Sequence, residues 1–335
     1  MIWDRILGHQ AQIDMFRRAI SRQRLAHGYL FIGPAGIGKQ LFARTMAQCL
    51  FCERIPDAEL NACGECASCR QMQAGHHPDL LTIGLPEGKR VLPLSLLVGE
   101  DEKRGRSGLC YEISMSPMSA RRRIAIIDDA ETMSDEAVNS LLKTLEEPPA
   151  GAILILLIPD ADLTLPTIRS RCQPIQFSPL LPDQITTLLK AQSIDLRGVE
   201  PIIEMAGGSL DVVRQLLEPE LRKLWQAVET QLHTPQVDAL RAIRQVSTCL
   251  EELGGDTATQ RENLQWVIQF CIDSLRRKLA TSSDFLELDR LGTMLDRCFE
   301  ADQHLQQSMP VPLCLEAMFT EIGKRSRTVD GIVRT

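Results

Sequence analysis

Gly33-Pro-Ala-Gly-Ile-Gly38-Lys39-Gln40 follows a short apolar run, His27-Gly-Tyr-Leu-Phe-Ile32, and precedes a helical pattern through Leu41, Phe42, Thr45 and Met46. Strand, glycine-rich turn, then helix is the context a phosphate loop requires, G-x-x-x-x-G-K completed by Ser or Thr. Gly33, Gly36 and Gly38 let backbone N–H groups turn inward around phosphates. The helix adds its positive N-terminus, and Lys39 can reach the terminal phosphates. Gln40 stands where the Mg²⁺-binding hydroxyl belongs. Its amide oxygen, on a longer and more flexible arm, is a poorer ligand for a small octahedral ion.

Downstream, Ile124-Ala-Ile-Ile-Asp128 reads as a second buried strand ending in the pair Asp128-Asp129, which resembles a Walker B element. Asp128 would hold a Mg²⁺ ion through water. Asp129 stands where a catalytic Glu would orient the attacking water, and it is one methylene shorter. Two readings stay open: weak ATP/Mg²⁺ binding, or a loop kept only because the strand–turn–helix needs its glycines. Efficient hydrolysis is not expected under either.

Between the two half-sites lie Cys52, Cys63, Cys66 and Cys69. The spacing C-x10-C-x2-C-x2-C supplies the four thiolates that a tetrahedral Zn²⁺ takes, and Gly64 permits the tight turn of a Cys-x-x-Cys knuckle. Four protein ligands leave no open position, so the expected ion is structural. Cys49, His76 and His77 are possible substitutes for one ligand, although Cys49 falls inside the predicted helix. A redox pair or unrelated buried thiols are the competing readings.

Helical spacing at Ile13, Phe16, Ala19 and Ile20 predicts an N-terminal helix, and Leu80–Ile83 predicts a strand. Residues 84–121 are punctuated by Gly, Pro and charge, with an exposed loop at Gly99–Gly108 and no assigned role. Arg121-Arg122-Arg123 reads as a solvated approach to the second strand, with DNA or phosphate contact the alternative. Ser134 caps a helix through Glu147, with Pro148-Pro149 as its stop. Ala152–Ile158 is a further strand, and Leu165–Phe177 leads toward an exposed polar turn. Beyond Leu180 the strands cease. Short helices occupy 182–193 and 199–218, separated by Gly198 and broken at Gly207-Gly208. Helix then runs almost throughout from Glu220 to Lys324, with breaks near Gly254-Gly255 and Thr281-Ser282-Ser283.

A chain of 335 residues exceeds one ordinary domain, and 44% apolar residues with only 4% aromatic fit helix-rich packing. The net charge of −7 argues against a surface that grips nucleic acid throughout. The N-terminus carries no signal-like segment, and the longest apolar run, Ala152–Pro159, is too short to span a bilayer. The eleven cysteines are therefore expected to be reduced, in a cytoplasmic protein with no membrane contact.

Several further stretches carry a resemblance: Trp3–Gly8 with Leu25-Ala-His27, the cysteine knuckle, and Gln73-Ala-Gly-His-His77-Pro-Asp79. Asn139-Ser-Leu-Leu-Lys-Thr-Leu-Glu-Glu-Pro148 and Arg169-Ser-Arg-Cys172 complete it. Together they are similar to the delta-prime type of the bacterial DNA polymerase III clamp-loader family, closely over about 1–80 and 120–178 and only in architecture beyond about 180. The resemblance implies an α/β AAA+ core with a parallel sheet at 1–178, embedding a zinc module at about 49–70. It further implies a small helical lid at 179–218, an all-α collar at 219–324 and a tail at 325–335. It implies a ring of five subunits with gamma/tau and delta, acting on a sliding clamp and primed DNA. It places Arg171 as an arginine donated in trans to a neighbour's ATP site, the competing reading being that Arg171 pairs with a carboxylate of its own domain, and Cys52, Cys63, Cys66 and Cys69 as zinc ligands. Leu157-Ile158-Pro159 lacks a polar sensor-one residue, and Asp211 stands where active loaders carry a sensor-two arginine, with Arg214 one turn later. Those departures favour a subunit with little ATPase of its own inside the polymerase holoenzyme. The alternatives are an ATP-hydrolysing gamma/tau-type subunit and, less well matched, a phosphate-loop nucleotide kinase.

Overall fold

The computed structural model describes residues 2–100, 104–163, 166–234, 236–307 and 309–327. The chain divides into two compact units, Met1–Val213 and Arg214–Thr335.

In the first unit, α1 (Gln10–Ser21) buries Ile13, Phe16 and Ile20 as their spacing predicts. β1 (Gly28–Ile32) leads into the phosphate loop and α2 (Lys39–Phe51), and α3 (Ala67–Ala74) follows the cysteines. β2 (Leu80–Ile83), α4 (Leu94–Val98), α5 (Leu109–Ser114), β3 (Arg123–Ile127) and α6 (Asp135–Glu146) come next. β4 (Ala152–Ile158), α7 (Pro166–Arg169) and β5 (Gln173–Gln176) complete the sheet. α8 (Pro182–Ala191), α9 (Glu200–Met205) and α10 (Leu210–Leu217) follow, the last crossing into the second unit.

The five strands are parallel, in the order β2-β3-β4-β1-β5. Every residue of β1, β3 and β4 is buried, as expected of parallel strands covered on both faces. Because side chains alternate along a strand, Tyr29 and Phe31 pack with Phe16, Phe42 and Phe177 on one face. Leu30 and Ile32 pack with Leu141 and Leu145 of α6 on the other. β4 lies between β1 and β3, so the phosphate loop and Asp128 emerge at the same carboxyl edge of the sheet. A crevice at that edge is where open α/β sheets bind ligands.

Two expectations need correction, and a stretch given no role proves to be structured. The approach to the polar turn at 165–177 contains β5, an edge strand whose register pairs Tyr29 with Gln173. Only Ile175 of it is buried and Pro174 interrupts its hydrogen bonding, so its polar composition hides a strand. The described part of 84–121 is more than a loop: Leu92, Leu97, Leu109 and Ile113 are buried in the α6-side core, and Leu92 bridges to Met133. The Gly99–Gly108 loop includes 101–103, outside the described residues. Arg123 is buried against Asp79, and Arg122 pairs with Asp57 at 2.6 Å, so two of the three arginines are committed to structure.

The second unit comprises α11 (Pro219–Leu232), α12 (Ala239–Leu253), α13 (Thr257–Thr281), α14 (Phe285–Gln306) and α15 (Val311–Arg327). Asp238, Asp256 and Asp284 cap α12, α13 and α14 by accepting first-turn N–H groups. Leu224, Leu264, Phe270, Leu291 and Phe319 are among its buried residues. α11 ends at Leu232 and α14 at Gln306, interruptions beyond the two read from sequence. α15 continues past Lys324 to Arg327, and the rest of the tail, 328–335, lies outside the described residues.

Asp79 is wholly buried and accepts N–H groups of Met118 at 2.6 Å and of Ser119 and Ala120 at 2.8 Å, with Arg123 at 3.4 Å. Burial pushes this carboxyl up, but the hydrogen bonds outweigh it and hold the group below the ordinary aspartate value of 3.8. Its contribution to stability is therefore complete above that value and is lost as pH falls below it. Asp79→Ala, which strands Arg123 and three amides, is expected to destabilise the chain by about 3–5 kcal/mol in urea unfolding near pH 7. A loss under about 1 kcal/mol would contradict this account.

Candidate functional site

The phosphate loop is built where β1 ends. Gly36 has φ +72°, and a Cβ there would stand 2.2 Å from Ser209 Oγ, so both conformation and space demand glycine. Gly38, at φ +100°, precedes α2 in the left-handed region. Lys39 is buried and donates to the carbonyls of Gly33 at 2.5 Å and Pro34 at 2.8 Å. Burial lowers its pKa, opposed by the carboxylates of Asp128, Glu131 and Asp129. Burial raises the pKa of Asp128, and Asp129 adds to the rise.

Gln40 and Asp128 meet directly. The Gln40 amide Nε2 donates to Asp128 Oδ2 at 2.9 Å, joining the start of α2 to the residue that follows β3. Asp129 sits in the left-handed region at φ +50° and accepts a weak 3.4 Å hydrogen bond from Leu85 N–H. Asp211 lies against Gly36, and Leu210 N–H donates to the Gly36 carbonyl at 3.0 Å. The start of α10 is thus fastened to the loop by a backbone hydrogen bond. Leu157 and Ile158 are fully buried strand residues.

Sequence reasoning missed two contributors here. His9 is buried under the loop with Nε2 2.8 Å from the Ile37 carbonyl, and burial lowers its pKa. Ser209, buried beside Gly36, is the other. His9 directly follows the quoted Trp3–Gly8 stretch, and Ser209 lies within the Gly208-Ser209-Leu210-Asp211 stretch read for its sensor-two position.

Cys52, Cys63, Cys66 and Cys69 converge, with their sulfurs all within 4.8 Å of one another. Cys52 ends α2 and Cys66 is the N-cap of α3. Backbone amides point at the sulfurs: Cys63 N–H at Cys52, Glu65 and Cys66 N–H at Cys63, and Cys69 N–H at Cys66, all at 3.3–3.4 Å. Such donors favour thiolates, and those of Glu65 and Cys66 hold Cys63 below the usual thiol range. Four clustered sulfurs with amide support fit one tetrahedral metal ion. Cys49 is buried in α2 outside this set, and burial pushes its thiol up. His77 stacks on Phe51 at 4.2 Å and accepts Asp79 N–H, so neither residue replaces a ligand. Glu53, bonded to Ser68 N–H at 2.9 Å and Oγ at 2.8 Å, ties the loop after α2 to α3.

Arg171 follows α7 and precedes β5. Its Nη2 is 2.5 Å from Glu146 Oε1, while Nη1 donates to the Thr167 carbonyl at 2.9 Å and to Ser170 Oγ at 3.2 Å. The Arg171 side chain is a third exposed, at the surface of its own unit.

A phosphate-loop α/β core that carries a four-cysteine cluster is the class these features define. The family model described as DNA polymerase III, delta subunit, matches residues 8–181, just over half of the chain, and the chain belongs to that family. DNA polymerase III subunit delta' of Pseudomonas aeruginosa is 33% identical over 192 residues, 56% of this chain and 55% of that protein. The Bacillus subtilis subunit delta' is 33% identical over 182 residues, 54% of this chain and 51% of that one. DNA polymerase III subunit gamma/tau of Mycobacterium tuberculosis is 32% identical over 210 residues, 59% of this chain and 34% of that protein. The chain spans about half the length of the delta' relatives it matches. A solved gamma subunit-related protein from Thermotoga maritima superposes with a TM-score of 0.47 at 17% identity, covering 94% of this chain and all of that one.

Protein purified without chelator is expected to carry one metal ion per chain. Cys66→Ser should reduce metal affinity by more than the roughly 10–100-fold lost when only a group hydrogen-bonded to a ligand is changed, and lower the melting temperature with it. Elemental analysis and thermal unfolding measure both. Equal metal content in wild type and variant would exclude the cluster as the site.

Proposed function

We propose that this chain is a delta-prime-type stator of a DNA polymerase III clamp loader, contributing to the loading of a sliding clamp onto primed DNA during replication. On this reading the AAA+ core is 1–178, the lid 179–218 and the collar 219–324. The collar joins gamma/tau and delta subunits in a five-subunit ring. The ion held by Cys52, Cys63, Cys66 and Cys69 is structural Zn²⁺, the ion suited to a closed set of four thiolates.

The observation that carries the reading is the Gln40–Asp128 hydrogen bond. A neutral amide occupies the position from which a hydroxyl would hold Mg²⁺, and it engages the carboxylate that would complete the ion's shell. Asp129 has a short reach, and the residues at the end of β4 are apolar. Phosphoryl transfer depends almost wholly on placing ion, water and phosphate, so each of these departures weakens turnover. The chain keeps Gly33, Gly36, Gly38 and Lys39, so weak ATP binding is compatible with this role. Membership of the family leaves the nucleotide-kinase alternative without support. Among the described residues no helix is long and apolar enough to cross a membrane.

Retention of Lys39 and Asp128, together with gamma/tau relatives of similar identity, favours the second reading, an ATP-hydrolysing gamma/tau-type subunit. Turnover separates the two. The isolated chain is expected to hydrolyse ATP no faster than its own Lys39→Ala variant in a coupled assay. Lys39-dependent turnover at about 1 s⁻¹ or above, the range of working phosphoryl-transfer enzymes, would establish the gamma/tau-type reading instead.

Arg171 is proposed to complete a neighbour's ATP site. An always-charged guanidinium fork matches phosphate oxygens, and such fingers are worth roughly 10³–10⁵ in rate. In a reconstituted ring Arg171→Ala removes one finger among several sites, so total ATPase should fall partially and clamp loading further. Wild-type values of both, in a ring that assembles, would remove Arg171 from that role.

A further inference from the structure

Glu146 is the last residue of α6, and Pro148-Pro149 prevents the helix from continuing. A carboxylate in the last turn meets the negative end of the helix dipole, a place better suited to a cation. Arg171 supplies that cation from the far side of β4, after α7. Its backbone is anchored independently of the ion pair. Arg171 N–H donates to the Ile168 carbonyl at 3.0 Å, and the next residue, Cys172, is buried against Gly28. The guanidinium is then aimed by three acceptors, of which the Thr167 carbonyl and Ser170 hydroxyl are neutral and Glu146 is charged.

From this geometry we infer that Glu146 is a positioning residue that latches Arg171 in its own domain and yields it to a phosphate of the adjoining subunit. The inference rests on the trans role proposed above for Arg171. The exchange is chemically matched, because carboxylate and phosphate oxygens bind the same guanidinium fork and the phosphate brings more charge. It is also easily reversed. Glu146 is half exposed and Arg171 a third exposed, and ion pairs at such positions hold weakly. Thr167 and Ser170 can keep their bonds to Nη1 while Nη2 changes partner, so the arm is already extended when the phosphate arrives. Glu146 thus competes with the neighbouring nucleotide for Nη2 and shares the finger between an engaged and a parked state.

The test is a double-mutant cycle in the reconstituted ring with MgATP: Glu146→Gln, Arg171→Ala and the pair, with exposed Glu147→Gln as control. Releasing the latch should raise kcat/KM for ATP at the site Arg171 serves by about two- to five-fold, the span an exposed ion pair covers, and the ring's total by a smaller factor. That gain should vanish in the Arg171→Ala background, and Glu147→Gln should leave kcat/KM unchanged. In the isolated chain, ¹⁵N NMR should show faster rotation of the Arg171 guanidinium in Glu146→Gln than in wild type. If Arg171→Ala lowers the ring's ATPase while Glu146→Gln leaves kcat/KM unchanged or lowers it, the latch is refuted and the finger stands. If Arg171→Ala has no effect on the ring, the trans role and the latch fall together. Unaltered guanidinium rotation in Glu146→Gln would also refute the latch, whatever the ring does.

Discussion

The packing of α2 against the aromatic face of the sheet is the interaction on which the first unit depends. Phe42 is fully buried and meets Trp3 at 5.0 Å, Phe177 at 5.1 Å, Phe31 at 5.8 Å and Phe16 at 5.9 Å. Aromatic residues are only 4% of the chain, yet six of them gather here with Tyr29 included. Burial of one such ring stabilises by about 1.5–3 kcal/mol, and tilted and edge contacts add to it. The cluster fixes α2 from its flank, and with it everything at the ends of α2. Lys39 opens the helix in the phosphate loop and Cys52 closes it at the cysteine cluster. One rigid helix therefore spaces the two chemical features of the unit.

The cysteine cluster is tied to the sheet by more than α2. Arg122, just before β3, pairs with Asp57 in the loop between Cys52 and Cys63. Trp3 donates its indole N–H to the Leu60 carbonyl in the same loop at 2.7 Å. The N-terminal segment, the loop and β3 consequently share a set of directional bonds. The four-cysteine cluster is thereby braced against the core on several sides.

The phosphate-loop edge shows how polar groups are satisfied when burial is enforced. The buried ammonium of Lys39 is bonded to loop carbonyls, and nearby carboxylates offset part of the cost of its burial. Asp128, whose ionised form is disfavoured by burial and by Asp129, takes a hydrogen bond from Gln40. A Ser or Thr at position 40 has too short a side chain to make the same bond over that distance. Gln40 reaches it because of the extra length that makes it a poor partner for Mg²⁺. The same length that weakens the residue chemically suits it to this structural link.

Features written in short-range spacing were legible in the sequence. The glycines and Lys39, the Cys-x-x-Cys pairs, the uniform apolar runs of β1, β3 and β4 and the Ser134 cap all express local geometry, and they stand where their spacing put them. β5 escaped because an edge strand half in solvent need not look apolar, and Arg123 escaped because its partner Asp79 lies on another strand end. Strand order, the Gln40–Asp128 bond, the seating of Ser209 and Asp211 on Gly36 and the Glu146–Arg171 pair were decided by tertiary structure alone. Each joins residues from separate elements, and a sequence pattern carries periodicity along the chain but no record of which distant groups folding brings within hydrogen-bond reach.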